Sequence, residues 1–295
     1  MPLGTKQIKA KQRKDSDSYN LNLNQGVYDI LSLIFEFKIT NGTHIARLLL
    51  GKDYQRYVYM KLLRMWRAGL VESFRPRPGF GKPLYYLLSK SGLEALERHG
   101  CYDSDLICRY PQKALLRMES FEHESTVADL ASLEAKIISS DLKISFRGEI
   151  SCGAHIFKSD KNIESFTPDY MATYAYNGKE FSVYTEYERT KKSKDAMIKK
   201  IDRYLVHLDY EQQKAALLRI IFETEQMEKS FWRHVLCEQP ELLQTLKIYT
   251  THVQLLSVSE QFREPVYATE ETVEFVQGNK LTADTSKRIK LFYFL

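Results

Sequence analysis

Little in this chain suits a membrane, an oxidising compartment or a histidine-built metal centre. No stretch approaches the roughly 20 uninterrupted apolar residues that a spanning helix needs, and the N-terminal MPLGTKQIKAKQRKDSDS has no apolar signal core. A cytoplasmic location without a membrane span is expected. The four cysteines, Cys101, Cys108, Cys152 and Cys237, form no Cys-x-x-Cys pair and have no histidine at a zinc-finger interval. Buried free thiols are the expectation. None of the seven histidines lies two residues from another, which excludes a His-x-His metal clasp. Excess positive charge is also missing from the second part: residues 118–295 hold 23 Lys/Arg against 28 Asp/Glu, whereas residues 1–117 hold 20 against 10. That asymmetry directs the first part toward a polyanion, most simply nucleic acid.

What is present suffices for one large domain or two ordinary ones in 295 residues. After a basic, polar leader (1–24), NQGVYDILSLIFEFK places Val27, Ile30, Leu31, Ile34 and Phe35 at helical spacing. TNGTHIARLLLG opens with cap residues and stops at Gly51. YQRYVYMKLLRMWRAG turns Val58, Leu62, Met65 and Trp66 inward and stops at Gly69. LVESFR and LYYLLS then read as strands around PRPGFGKP, followed by the helix KSGLEALERHG. Three helices and a hairpin predict a winged helix-turn-helix over 25–110, a fold that puts its third helix in the major groove and its hairpin tip on phosphate or minor groove.

The side chains left outside that core are Gln55, Arg56, Tyr59, Lys61, Arg64 and Arg67 on the third helix and Arg75, Arg77 and Lys82 on the wing. Such cations suit phosphates and guanine edges. A solvated helix face, or a winged helix used for protein contacts, is the plain alternative.

The second domain is expected over 111–260, with 261–295 an extension of unassigned role. It opens with an amphipathic helix, ESFEHESTVADLASLEAKII, and a strand, KISFRGEI. His123 within that helix is expected to be an ordinary surface or core histidine. In FTPDYMATYAYNGKEFSVYTEYERTKK, Asn177-Gly178 signals a two-residue type I′ hairpin turn. Pairing Tyr176 with Lys179 puts Asp169 opposite Glu186, with Cβ atoms about 4.5–5.5 Å apart, and Glu188 on the same side. Three clustered carboxylates raise one another's pKa unless a cation is near, and Mg²⁺ or Mn²⁺ suits hard oxygen ligands. Neutralisation by Lys191, Lys192, Lys194, Lys199 or Lys200, or exposure on an edge, is the plain alternative. A helix over about 190–209, with Ile198, Ile201, Leu205 and Leu208 apolar, and a strand AALLRIIF follow.

The order helix, strand, Asp-bearing strand, Glu-bearing strand, helix, strand resembles the restriction-endonuclease-like core of PD-(D/E)xK nucleases, so the class is α/β (α+β) with a mixed sheet. Pro168-Asp169 supplies the PD and Glu186 the acid, but Glu188 stands where that family has lysine. With HIARLLL, PDY and EYERTKKS…KKI, the chain from about 25 to 225 resembles the replication-relaxation superfamily and, within it, the MOB-C class of plasmid mobilisation relaxases.

The resemblance implies a metal-dependent endonuclease that binds double-stranded DNA at a transfer origin and nicks one strand, with accessory mobilisation and coupling proteins as further partners. Asp169, Glu186 and Glu188 would hold Mg²⁺ or Mn²⁺, and Lys200 or Lys192 would replace the missing lysine, Lys200 being preferred. The attacking oxygen is left open between water and a tyrosine. Tyr170, Tyr184 and Tyr187 lie near the acids, but core or stacking roles are the expectation for them. The competing reading is a non-catalytic replication or transcription regulator on an inactive nuclease fold.

Overall fold

The computed structural model describes residues 21–53, 55–76, 83–138, 142–157, 167–210, 216–238, 248–258, 274–276 and 282–284. The chain divides into two compact units, Met1–Ile138 and Ser139–Leu295. Among the described residues no helix is long and apolar enough to cross a membrane.

The first unit begins with α1 (Gln25–Phe37), whose Val27, Ile30, Leu31, Ile34 and Phe35 are all buried, as their spacing predicts. β1 (Thr40–Asn41) is too short to leave a sequence signature. Asn41 ends it and starts α2 (Gly42–Leu50), its side chain accepting hydrogen bonds from the Thr43 and His44 backbone N–H groups, which satisfies two of the orphan donors at the helix start. α3 (Arg56–Arg67) buries Val58, Leu62 and Met65, while Trp66, expected inward, is only half-buried. β2 (Val71–Phe74) and β3 (Tyr85–Leu88) pair antiparallel, and β1 adds to β3, giving the order β1-β3-β2.

α4 (Lys90–Arg98) follows. It passes so close to the preceding turn that a Cβ on Gly92 would lie 2.1 Å from the Leu70 carbonyl oxygen. A short α5 (Ser104–Ile107) leads to α6 (Met118–Glu134). α6 packs on α2 within the first unit: Arg47 meets Asp129 at 3.4 Å, and Lys38 meets Glu124 at 2.8 Å. The division between units therefore follows Ile138 and not residue 110, because this helix, expected to open the second domain, has its partners in the first.

The second unit is a mixed α/β layer. Its strands are β4 (Leu142–Gly148), β5 (Tyr170–Tyr176), β6 (Lys179–Glu188), β7 (Ala216–Phe222) and β8 (Ile248–His252), in the order β4-β5-β6-β7-β8. β4, β5 and β6 run antiparallel; β6, β7 and β8 run parallel. Between them lie α7 (Glu149–Phe157), which the sequence pattern does not signal, α8 (Lys194–Tyr210) and α9 (Glu225–Glu238), and α10 (Val253–Val258) follows β8. A separate pair, β9 (Glu274–Val276) and β10 (Thr282–Asp284), falls in the C-terminal stretch.

Tyr184, Leu218, Ile220, Phe222 and Ile248 share one sheet face and pack under Ile201 and Tyr204 of α8 and Phe231, Trp232 and Val235 of α9. β6 from Val183 to Glu188 is wholly buried, as befits a strand covered on both faces where parallel pairing begins. The opposite face carries Arg219, fully buried, whose guanidinium donates to Thr185 Oγ1 at 2.7 Å and Tyr170 Oη at 2.9 Å.

Of the cysteines, Cys152 is buried as expected, but Cys101 is half-buried and Cys108 exposed. Cys237 lies outside the described side chains.

Candidate functional site

The hairpin turn positions the acids. Asn177 (φ 50°) and Gly178 (φ 75°) both have positive φ, as a type I′ turn requires, and the ladder runs from Tyr176↔Lys179 to Tyr170↔Thr185. The next step would bring Asp169 opposite Glu186, but the ladder stops at Tyr170. Pro168 lacks the N–H to continue it, and Asp169 substitutes its side chain, Oδ2 accepting the Tyr187 N–H at 2.6 Å. Asp169 thus lies one residue beyond the ladder and acts electrostatically on Glu186.

Glu186 and Glu188 share the sheet face covered by α8. Both are almost fully buried, 4% and 2% exposed. Ionised carboxylates do not persist there without partners. Lys200, on the second turn of α8, supplies one: its Nζ bonds Glu186 Oε2 and lies 2.5 Å from Glu188 Oε1. Lys192 Nζ reaches the same Glu188 oxygen at 2.8 Å. Tyr204, one turn beyond Lys200, donates to Glu186 Oε1 at 3.2 Å. The helix was expected from about 190 but begins at Lys194, so Lys192 sits in the loop before it.

Electrostatically the acids differ. Burial pushes the Glu186 carboxyl up; Lys200 pulls it down, Asp169 and Glu188 push it up again, and the net position is about 8. Burial alone would lower the Lys200 ammonium, but Glu186 and then Glu188 outweigh burial and hold it above its ordinary value. Lys200 Nζ thus lies between the two buried carboxyls, which hold its charge while burial works against the charge on Glu186. Burial, followed by Glu186, holds the Tyr204 phenol well above its ordinary range, so Tyr204 is a donor here.

The other tyrosines have core roles. Tyr170 receives Arg219, Tyr187 Oη donates to Glu223, and Tyr184 meets the Tyr204 ring edge-on at 6.1 Å.

Among the described residues no three His, Cys, Asp or Glu side chains converge as a ready-made metal cage. The donors that do gather are hard carboxylate oxygens, and the Lys200 ammonium lies between two of them. The roles of Tyr204 and Arg219 were not read from the sequence, although Tyr204 stands one turn after Lys200 there. Their only signals were a tyrosine one turn after Lys200 and an arginine inside an apolar strand, neither of which names a partner.

On α3 of the first unit, Arg56, Arg64 and Arg67 are exposed. Met60 and Tyr57, 42% and 56% exposed, join them on one helical stripe, and neither was among the expected DNA-facing side chains. Lys61 is half-buried, with Nζ 3.3 Å from Asn24 Oδ1 and 4.5 Å from the Tyr57 ring centroid. Tyr59 Oη lies 3.1 Å from Thr43 Oγ1, Gln55 precedes the helix, and Arg75 is exposed after β2. Arg77 and Lys82 lie outside the described residues. His123 is half-buried on α6.

The replication-relaxation family model matches residues 31–219. This chain belongs to the replication-relaxation family. The match spans most of the first unit and the second as far as Arg219 in β7, and so includes every residue of the acidic cluster. No curated protein matches the chain. Among solved structures, the restriction endonuclease FokI is similar at 13% identity over 82% of this chain and 45% of its own, with a TM-score of 0.24. That likeness is too slight to carry an argument, and the chain spans under half of that endonuclease.

Proposed function

We propose that this family member is a relaxase of the MOB-C class, a metal-dependent nickase that binds double-stranded DNA at a plasmid transfer origin and cleaves one strand. One observation carries the reading: Glu186 and Glu188 are buried on one sheet face and bridged by Lys200, with Asp169 at the end of the neighbouring strand. Buried like charges are costly to keep, and perturbed carboxyls held with a lysine are characteristic of sites that handle charge. The order of strands and helices around them supports a restriction-endonuclease-like core.

Asp169, Glu186 and Glu188 would hold Mg²⁺ or Mn²⁺. Bound there, a divalent ion would supply charge neutralisation at the scissile phosphate. Lys200 holds a phosphate oxygen, Lys192 steadies the neighbouring one, and Glu188 orients the attacking water. Tyr204 keeps Glu186 in position. In the first unit, α1 to α3 and the β2–β3 hairpin act as a winged helix, with Arg56, Lys61, Arg64 and Arg67 on its recognition helix and Arg75, Arg77 and Lys82 on its wing.

The test is supercoiled plasmid carrying the cognate origin, incubated with and without Mg²⁺ or Mn²⁺. Open circles that require metal, and that disappear with Asp169→Ala while a mobility shift persists, support the nickase. The second reading is a non-catalytic DNA-binding regulator on an inactive fold. It is favoured by Glu188 at the expected lysine position and by the neutralisation Lys200 already provides. A shifted but uncut plasmid under every metal condition would establish it over the nickase.

A further inference from the structure

A second set of buried ionisable groups shares the sheet face of the acids. Glu228 of α9 is fully buried. Its Oε1 accepts from Thr250 Oγ1 at 2.6 Å, and its Oε2 lies 3.0 Å from His252 Nδ1. The far end of this chain sets its direction: an indole N–H can only donate, and that of Trp232 donates to Thr250 Oγ1 at 2.6 Å. Thr250 therefore passes its own hydrogen to Glu228, whose other oxygen is left to accept from His252 Nδ1. A proton held at Nδ1 turns Nε2 away from Glu228. His252 is 8% exposed, and its Nε2 has no protein partner among the described residues yet is not sealed from solvent.

We propose that His252 is a phosphate-binding residue: its Nε2 donates to a phosphate of the cut DNA strand, a few nucleotides from the scissile one. The proposal rests on the nickase reading and adds a second point at which that strand is held. Register places the ring: Glu188, Phe222 and His252 face one another across β6, β7 and β8, so His252 stands in the row of Glu188, on the same face and about 9–10 Å away between backbones. All three residues close the carboxyl ends of parallel strands, where open α/β sheets place their ligands. Phosphates on one strand of a duplex advance about 3.4 Å along its axis, so the gap spans no more than about three nucleotides. At that separation His252 does not reach a phosphate held at Glu186 and Glu188, and among the described residues no metal cage forms around it. A purely structural network is complete at Nδ1; the second nitrogen, turned to solvent, adds nothing to the packing of α9 on β8. When both ring nitrogens donate, the ring is positively charged, and Glu228 behind it compensates that charge.

The experiment uses the full chain with ¹⁵N in its histidine rings and indoles, titrated with single-stranded dT8 and with a methylphosphonate dT8 that carries the same bases on an uncharged backbone. The His252 Nε2 resonance should move with dT8 and stay in place with the methylphosphonate strand, and the Trp232 indole N–H, at the far end of the same hydrogen-bonded chain, should follow it. His252→Asn keeps an amide where Nδ1 meets Glu228 and removes Nε2, so the Trp232 signal should need roughly 10-fold more dT8, or beyond, for the same shift. His252→Gln puts an amide near the place of Nε2 and should bind dT8 more tightly than His252→Asn. An Nε2 signal that stays still at saturating dT8, equal movement with both strands, equal movement with inorganic phosphate at the same phosphate concentration, or no binding of dT8 would each overturn the contact, and the wild-type titration reads this without any variant. Plasmid nicking is scored separately. A protein that nicks while His252 stays still loses only the contact; one whose His252 moves without nicking loses only the nickase.

Discussion

Replacing Glu186 with glutamine should remove a specific slope from the protein's stability against pH. Glu186 has an ordinary value of 4.5 and a folded value pushed up to about 8. The folded state therefore binds more protons than the unfolded state between those limits, and stability falls as pH rises through them. The contribution is complete below about 4.5 and gone above about 8. Each pH unit in that window costs the fold about 1.4 kcal/mol, so the whole window amounts to roughly 4–5 kcal/mol. Lys200, held above its ordinary value, titrates beyond the window and does not contribute to it. Urea unfolding followed by Trp232 fluorescence, in a Trp66→Phe background, reports on the second unit alone. The stability of wild type minus that of Glu186→Gln should fall by at least 2 kcal/mol, about half of that total, between acid and mildly alkaline pH. A difference that stays constant across the window would refute the upward shift of the Glu186 carboxyl.

Lys200→Met leaves two buried acids without their shared cation and should cost about 3–5 kcal/mol, whereas Lys192→Met, at a half-exposed residue, should cost under about 1 kcal/mol; equal losses by urea titration would contradict this ranking. Reversing the charge at Arg56 or Arg64 on the exposed stripe of α3 should weaken duplex binding and lower the log-log salt slope by about one for each phosphate that is no longer neutralised, which anisotropy at several salt concentrations measures. Gly178→Ala should cost about 1–2 kcal/mol through its positive φ alone, since its surroundings are open. Gly92→Ala should cost more, because the new methyl meets the Leu70 backbone and the helix must shift; thermal melts that rank the two the other way would refute the packing argument.

The local features were legible because local physics sets them. Helical spacing identified the buried residues of α1, and Asn177-Gly178 specified a turn whose φ values only such residues adopt readily. From that turn the two-residue period of a strand carried the register to Glu186 and Glu188 without knowledge of anything else in the chain. Where the register stopped was less accessible, since Asp169 leaves the ladder by bonding the Tyr187 N–H with its side chain, a choice made between two strands already in place. Membership of α6 in the first unit depends on salt bridges to residues some 80 positions away, which no local pattern encodes.

The same holds for the lysines. Sequence placed both near the acids, but only the packing of α8 on the sheet brings Lys200 over Glu186 and Glu188 together, with Tyr204 one turn farther along bonding Glu186. That packing is set by how Ile201, Phe231 and Trp232 interlock on the sheet face. The alternation of residues along β6 therefore determined which side the acids face, and the packing of two helices determined what meets them there.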